Sequence, residues 1–229
     1  MNRSIETENQ ILQEFWNQAF GKQPEASVKE IKTLAPSEKL FLAAASLGRC
    51  SDVLDYGCGS GWASIIAAES GAENVSAADV SENALNQVRK TAHLYGFDEI
   101  IHPVQIDSDW LKRIPDESFD AVFCSNVLDV IPSETAVLIL NEFARIMTNG
   151  AMLIVGMNYY LSPEKAAKRN LDLKEDGKLY VDGILRMVSK SDEEWISVFS
   201  KWFSLEKLDH FAWPSEKEET RRLFYLKKK

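Results

Sequence analysis

An acid followed by three alternate glycines is the feature of this sequence most suited to chemistry. Asp55 ends a short apolar run, and Gly57, Gly59 and Gly61 follow at every second position. Glycine adopts positive φ without strain and has no Cβ to keep a ligand away from the backbone. Residues 62–70 read as a helix, whose N-terminal N–H groups would face the same turn. We therefore expect a nucleotide-like ligand to lie on a strand-to-helix loop here.

A dinucleotide-binding loop is the nearest alternative for this pattern. Its GxGxxG fingerprint needs a third small residue at the sixth position, where the helix packs on the strand. Trp62 occupies that position and is too large. A tight turn without any ligand is the second alternative.

The run Asp-x-Gly-x-Gly-x-Gly at residues 55–61 resembles motif I of the class I S-adenosylmethionine-dependent methyltransferases. The resemblance covers roughly residues 36–228 and implies S-adenosylmethionine as cofactor, with S-adenosylhomocysteine as product. It also implies that Asp55 belongs to the cofactor site, where its negative charge favours the sulfonium and the ammonium and where it mostly orders the loop and acts through water; bracing of the loop alone is its alternative role. Cys58 is expected to line the cofactor together with the three glycines.

Further cofactor contacts are expected at the ends of the next two strands. Asp79 lies about 20 residues beyond the glycine loop, where a carboxylate can accept hydrogen bonds from ribose hydroxyls. Its alternative role is to cap the helix that begins at Ser81. The resemblance adds Val80 beside Asp79, and it places Asp107 and the N–H of Ser108 at the adenine. Asp109 competes with Asp107, and Trp110 either packs on the adenine or fills core.

The resemblance places the end of the fourth strand opposite the transferred methyl group. Asn126 is the first candidate there, and Asp129 is a carboxylate that could accept a proton. The segment lacks the Asn-Pro-Pro-Tyr turn of DNA adenine methyltransferases. Val130 stands where many small-molecule members have histidine, so no histidine base is expected from this strand.

Aromatic residues offer weaker candidates. Tyr159 and Tyr160 follow the fifth strand and could orient a nucleophile or accept a proton. Trp16 could fold over the cofactor, although an aromatic at helical spacing more often packs in a core. The isolated histidines are expected to be surface or packing residues: His93, His102 and His210.

The amino-acid composition of the chain limits the classes of partner that it can bind. The net charge is −9 with a pI near 5.0, which disfavours nucleic acid and anionic membranes. The basic residues at the end, Arg221, Arg222 and 227–229, are expected to form a solvated tail. Three cysteines without metal-ligand spacing predict reduced thiols in a cytoplasmic protein and no metal site. No secretion signal or membrane span is predicted, and the oligomeric state stays open, with a homodimer as one alternative.

Strand and helix signals alternate along the chain. Strands are predicted near residues 53–55, 74–79, 100–106, 118–125 and 151–156, and helices at 62–70, from Ser81 to Gly96, and at 132–147. A capping box at Ser191 and Glu194 opens another helix, before strands at 203–208 and 221–226. This alternation predicts an α/β, Rossmann-like, mostly parallel seven-stranded sheet with helices on both faces. The resemblance implies that the last two strands form an antiparallel hairpin.

We expect an N-terminal helical cap at residues 1–35 and a methyltransferase domain at residues 36–229. An insertion at about 158–188 would form a second part of the substrate cap. The expected activity is in-line transfer of a methyl group to a small-molecule acceptor. A protein or RNA methyltransferase and a non-catalytic cofactor-binding protein are the alternatives.

Overall fold

The computed structural model describes residues 4–229, so residues 1–3 of the expected N-terminal cap lie outside the described part. Its helices are α1 (Ile5–Gly21), α2 (Glu38–Ala45), α3 (Trp62–Glu69), α4 (Glu82–Tyr95), α5 (Trp110–Arg113), α6 (Ser133–Ile146), α7 (Pro163–Lys168) and α8 (Asp192–Phe199). Its strands are β1 (Asp52–Tyr56), β2 (Asn74–Asp79), β3 (Ile101–Gln105), β4 (Phe119–Ser125), β5 (Met147–Met157), β6 (Lys178–Val181), β7 (Ile184–Val188), β8 (Phe203–Phe211) and β9 (Arg221–Lys228).

Seven strands form one sheet in the order β3-β2-β1-β4-β5-β9-β8, and β6 and β7 form a separate antiparallel pair. The first five strands are parallel, while β9 runs antiparallel to both β5 and β8. The predicted fold class is therefore confirmed. The strand order reverses at β1, and in such sheets ligands bind outside the carboxyl ends of the strands near that point.

Successive side chains of each strand point to opposite faces of the sheet, and helices cover both faces, so both sets of side chains are buried. Val53 belongs to a core with α2, α3 and α4, whereas the adjacent Leu54 belongs to a second core with α6 and α8. This two-sided burial explains why the central strands read as continuous apolar runs. The glycine loop after β1 leaves this rigid scaffold at the carboxyl edge.

Local capping signals fix several element ends. Ser81 accepts a hydrogen bond from Ala84 N and starts α4, and Gly96 ends it in the left-handed conformation. The capping box at Ser191 and Glu194 is present at α8. Both predictions are confirmed.

Three strands are longer than predicted. β5 begins at Met147 rather than at residue 151, because the chain pairs with β4 on both sides of a register shift. Gly150 has φ +76° within this irregular stretch. In β8 and β9, backbone pairing continues to Phe211↔Arg221 and Phe203↔Lys228, beyond the apolar residues that marked the strands. Hydrogen bonds between backbone groups hold two paired strands together, so the pairing can continue past the last apolar side chain.

The expectation of a solvated basic tail is wrong for its two arginines. Arg222 is 2% exposed and donates to Asn158 O, Lys190 O and Asp192. Arg221 forms a double-pronged ion pair with Glu216. The guanidinium group is tolerated in the interior because its donors are satisfied by carbonyl and carboxylate oxygens.

The expected insertion folds into α7 and the β6–β7 hairpin. Leu185 and Val188 of this hairpin pack with Leu12 and Trp16 of α1. Within residues 4–229, no helix is both long and apolar enough to cross a membrane.

Candidate active site at the glycine loop

The loop between β1 and α3 requires glycine at all three alternate positions. Gly57, Gly59 and Gly61 have φ of 70°, 53° and 80°, in the left-handed region that other residues avoid. Space is also tight, since a Cβ on Gly57 would lie 2.2 Å from Cγ2 of Val127. This contact brings the segment after β4, which includes Asn126, against the glycine loop.

Most N–H groups of the loop already donate to protein oxygens, either on β2 or within the loop. Gly57 N and Cys58 N both donate to Ala78 O, at 2.7 and 3.1 Å, and Gly61 N donates to Cys58 O at 2.9 Å. The Cys58 side chain is buried, and its burial raises the pKa of the thiol. A ligand would therefore meet a preformed backbone surface.

Asp79 joins the loop to the next helix. Its Oδ2 accepts from Gly59 N and its Oδ1 accepts from Ser81 N, each at 2.9 Å. The carboxyl group is 5% exposed, and this burial raises its pKa. Asp79 therefore supports the start of α4, which is the alternative role expected for it, and it also braces the glycine loop.

Asp55 is buried behind the loop. Its Oδ2 accepts from the backbone N–H and the hydroxyl of Ser64 on α3, at 3.1 and 2.6 Å. Burial raises the pKa of Asp55 to about 7, partly opposed by the Ser64 hydrogen bonds and reinforced by the charge of Asp79. The contacts are those of a group that orders the loop.

Helix α1 covers this loop from outside the sheet. A Cβ on Gly59 would lie 3.0 Å from Cζ of Phe20. Asn17 accepts from the Ser81 hydroxyl and from Asn83 N, which fixes α1 on the start of α4. Gln13 Nε2 donates to Val80 O at 3.3 Å, so the backbone of Val80 also contacts α1.

Of the two roles expected for Trp16, the structure shows packing in a core, and another aromatic of α1 lies at the glycine loop. Trp16 packs with Leu12, Ile131 and the β6–β7 hairpin, whereas Phe20 contacts the glycine loop. The signal for Phe20 was its place in the apolar pattern of α1. No sequence signal marked Gln13 or Asn17, whose roles depend on how α1 docks.

Asn126 occupies a strained position at the end of β4. Its φ is +56°, a conformation that asparagine tolerates better than most residues. Its backbone N–H donates to Gly156 O at 2.8 Å, and its Nδ2 lies 3.5 Å from the Ser125 hydroxyl. Its buried Oδ1 has no hydrogen-bond partner among residues 4–229. This oxygen can accept a hydrogen bond from a ligand.

Asp129 is fully buried rather than open to solvent. Its Oδ2 accepts from the backbone and side-chain nitrogens of Asn158, at 2.8 and 3.0 Å, and its carbonyl oxygen accepts from Val188 N at 2.7 Å. Burial raises the pKa of its carboxyl group, opposed by the hydrogen bonds from Asn158 and by nearby Arg222. Asp129 therefore ties both ends of the insertion to the sheet.

The residues predicted to contact the adenine, Asp107 and Ser108, lie at the protein surface, unlike the buried Asp55, Asp79 and Asp129. Asp107 is exposed, accepts from Asp109 N at 2.8 Å and forms an ion pair with Arg113 at 2.9 Å, which lowers its pKa. Ser108 is also exposed, and Asp109 pairs with Lys112. Trp110 packs on the hydrophobic core.

Tyr159 and Tyr160, the aromatic candidates after the fifth strand, face a separate pocket beyond β5.

The described residues contain no cluster of three or more histidine, cysteine or acidic side chains placed to hold a metal ion. Two of the histidines lie near acids: His93 Nδ1 is 3.3 Å from Asp98, and His210 Nε2 is 3.7 Å from Asp192.

Comparisons with known proteins agree with this architecture. The sequence profile described as "Methyltransferase domain" matches residues 53–150. The ribosomal protein L11 methyltransferase of Exiguobacterium sp. is 29% identical over 150 residues, which cover 65% of this chain and 42% of that protein. The chain spans less than half the length of the curated relatives it matches, 42% and 49%.

Two solved structures share the fold. Burkholderia thailandensis 1,6-didemethyltoxoflavin-N1-methyltransferase, with bound 1,6-didemethyltoxoflavin and S-adenosylhomocysteine, gives a TM-score of 0.73 at 15% identity, covering 100% of this chain and 92% of that one. Synechocystis magnesium protoporphyrin IX methyltransferase, with bound S-adenosylhomocysteine, gives 0.69 at 17% identity, with coverages of 97% and 100%. The chain therefore matches a methyltransferase domain over residues 53–150 and has the fold of these two methyltransferases.

Proposed function

We propose that this protein is an S-adenosylmethionine-dependent methyltransferase that acts on a small molecule. The observation that carries the proposal is the glycine loop braced by Asp79 and covered by Phe20 of α1. The two structural neighbours named above were solved with S-adenosylhomocysteine and support the choice of cofactor.

The residues present fit this cofactor. Gly57, Gly59 and Gly61 form a cradle in which any Cβ would collide with a neighbour or strain the backbone. The Asp79 carboxylate has about four acceptor sites, and Gly59 and Ser81 do not fill them. We propose that Asp79 holds the ribose, with Cys58 and Val80 beside it, and that Asp107 and Ser108 lie at the adenine.

When bound, the cofactor supplies a methyl group on a sulfonium, which an acceptor atom displaces in line as neutral S-adenosylhomocysteine leaves. The chain's own contribution is to orient the acceptor and exclude water. We propose that the free Oδ1 of Asn126 accepts an N–H or O–H of the acceptor. Asp129 acts as a positioning residue through Asn158, and Tyr159 lies at the outer end of the site.

The covered edge of the sheet favours a small acceptor. Helix α1 contacts the glycine loop through Phe20 and the β6–β7 hairpin through Leu12 and Trp16. Buried Glu8 also accepts from the Tyr180 hydroxyl at 2.7 Å. We propose that residues 1–35 and 158–188 act together as the substrate cap on a domain of residues 36–229. The net charge of −9 makes nucleic acid an unfavourable acceptor.

A protein acceptor is the second candidate, because the curated relatives are named ribosomal protein L11 methyltransferases. A cytoplasmic location is part of the proposal and is supported by the unpaired thiols of Cys50, Cys58 and Cys124.

Transfer of labelled methyl groups separates the candidates. The purified protein is incubated with methyl-labelled S-adenosylmethionine and a cell extract, which is then split by ultrafiltration. Chromatography separates the unreacted S-adenosylmethionine from the rest of the filtrate, and label in a different small molecule is the expected result. Label in a retained protein would contradict the small-molecule acceptor, and cofactor binding without any transfer would favour a non-catalytic protein.

A further inference from the structure

A second pocket lies beyond the end of β5, apart from the glycine loop. It is an open pocket lined by the segment after β5, helix α7 and the loop between β8 and β9, and its volume is about 820 Å³. The residues relevant to its chemistry are Tyr159, Tyr160, Lys165, Arg169, His210 and Lys217. Nothing in the cofactor site described above uses this pocket.

Arg222 in the lining of this pocket pairs with Asp192, but three other cations of the lining have no acidic partner among residues 4–229, although the protein carries a net charge of −9. In the part of the chain that the structure describes, no carboxylate forms an ion pair with Lys165, Arg169 or Lys217. Lys165 and Arg169 are four residues apart, one turn along α7, and line the same pocket. An unpaired pair of cations on one wall favours an anion.

Most acids of the same pocket are already neutralised. Asp192 pairs with Arg222 at 3.2 Å, Glu216 pairs with Arg221 at 2.8 Å, and Glu219 pairs with Lys39 at 2.6 Å. Glu218 is the remaining acid of the lining and stands against the three unpaired cations Lys165, Arg169 and Lys217, so the balance left for a ligand is positive.

Tyr159 holds one of the cations in place. Arg169 Nη1 donates to the Tyr159 hydroxyl at 3.3 Å, and the guanidinium carbon lies 5.7 Å from the centre of the Tyr159 ring. A guanidinium has five N–H donors in a planar fork. This single bond leaves donors for a carboxylate or phosphate, which arginine binds in two-pronged geometry.

The pocket lies next to the proposed methyl-transfer site along the sheet edge. β4 and β5 pair at Ser125↔Gly156, and Asn126 N donates to Gly156 O at 2.8 Å. Tyr159 follows Gly156 by three residues, a chain length of at most about 11 Å. One small molecule can therefore present a nucleophile near Asn126 and a distal group near Arg169.

We propose that this pocket binds the anionic group, a carboxylate or a phosphate, of the methyl acceptor through Arg169 and Lys165. The acceptor role rests on the proposed function, whereas anion binding does not. The acceptor class is then a small molecule with an acidic group remote from the methylated atom.

Fluorine NMR on the full chain tests the pocket with three probes: para-fluorobenzoate, para-fluorophenyl phosphate and the neutral para-fluorobenzamide. At least one anion should show saturable binding, and the tighter of the two identifies the preferred group. Arg169→Gln and Lys165→Gln should each weaken that anion by at least about fivefold, because each removes one charge from the same wall. Lys168→Gln is the matched control, since Lys168 is exposed on α7 and does not line the pocket.

Equal binding of the amide, equal weakening by Lys168→Gln, or no saturable binding of either anion would overturn the proposal. Titration of the same variants with S-adenosylhomocysteine keeps the two proposals separable. Its affinity should be the same in the wild type and all three variants. A wild-type protein that binds the anion but no S-adenosylhomocysteine would remove the acceptor role and leave the anion site.

Discussion

Phe20 of α1 lies against Gly59 of the glycine loop, at a distance that leaves no room for a side chain on Gly59. A Cβ there would lie 3.0 Å from Phe20 Cζ. Residues 39 positions apart in the sequence thus form the two sides of one narrow contact. The N-terminal helix is therefore a direct neighbour of the proposed cofactor site.

Gly59→Val should weaken S-adenosylhomocysteine binding at least tenfold while the protein stays folded. The valine would meet Phe20 and would also occupy a φ of +53°. Left-handed backbone costs a residue with a Cβ roughly 1–2 kcal/mol. Calorimetric titration measures the affinity, and circular dichroism checks the fold.

Gly96→Ala is the control for that backbone strain. Gly96 has φ +75°, and a Cβ there would meet nothing within 4 Å. This variant should lose a comparable ~1 kcal/mol of stability and keep wild-type affinity. Unchanged affinity in Gly59→Val would remove the glycine loop from the cofactor site.

Phe20→Ala should speed the dissociation of S-adenosylhomocysteine and weaken its affinity several-fold, because it opens one side of the loop. Stopped-flow displacement gives the dissociation rate. Gln18→Ala, at an exposed position of the same helix, should change neither quantity. Equal dissociation rates for Phe20→Ala and the wild type would argue that α1 does not retain the cofactor.

Asp55→Asn should flatten the pH dependence of stability. The unfolded pKa of Asp55 is near 3.8, and burial raises the folded pKa to about 7. Between these values the folded state binds more protons, so the free energy of unfolding falls as the pH rises from about 4 to 7. For a shift of about 3 pKa units the fall is on the order of 4 kcal/mol.

Urea unfolding at pH 5 and pH 8 measures this effect in the wild type and in Asp55→Asn. The amide oxygen of asparagine can still accept from Ser64, so the variant keeps the hydrogen bond without the titrating charge. Relative to the wild type, the variant should gain stability between the two pH values. An identical pH dependence in both proteins would show that Asp55 does not titrate in this range.

Asp129→Ala should lower the free energy of unfolding by roughly 2–4 kcal/mol, because two buried donors of Asn158 lose their acceptor. Asp109→Ala provides the comparison, since Asp109 forms a solvent-exposed pair with Lys112 that stabilises the fold little. Urea unfolding measures both. A loss of the same size in the two variants would contradict a bracing role for Asp129.

Much of the fold could be predicted from patterns among residues that are close together in the sequence. The bounds of β1, α3, β2 and α4 were predicted to within one or two residues. The signals were the apolar runs, the caps at Ser81 and Gly96, and the glycine loop. These signals depend on neighbours in the chain, so periodicity and capping suffice to read them.

Long-range docking explains what the sequence did not predict. Phe20 and Trp16 are both apolar residues of α1, and only the packing of α1 on α4 and β7 decides which one reaches Gly59. Arg222 reads as part of a basic tail because its partners come from residues 158, 190 and 192. The ion pair of Asp107 with Arg113 likewise depends on how α5 turns after β3.

Isothermal titration of the purified wild-type protein with S-adenosylmethionine and S-adenosylhomocysteine tests the central claim most directly, since it needs no knowledge of the acceptor. We expect saturable binding of both with micromolar Kd and a stoichiometry of one, lost together in Gly59→Val. Absence of binding by either compound to a folded protein would contradict the assignment of this loop as a cofactor site.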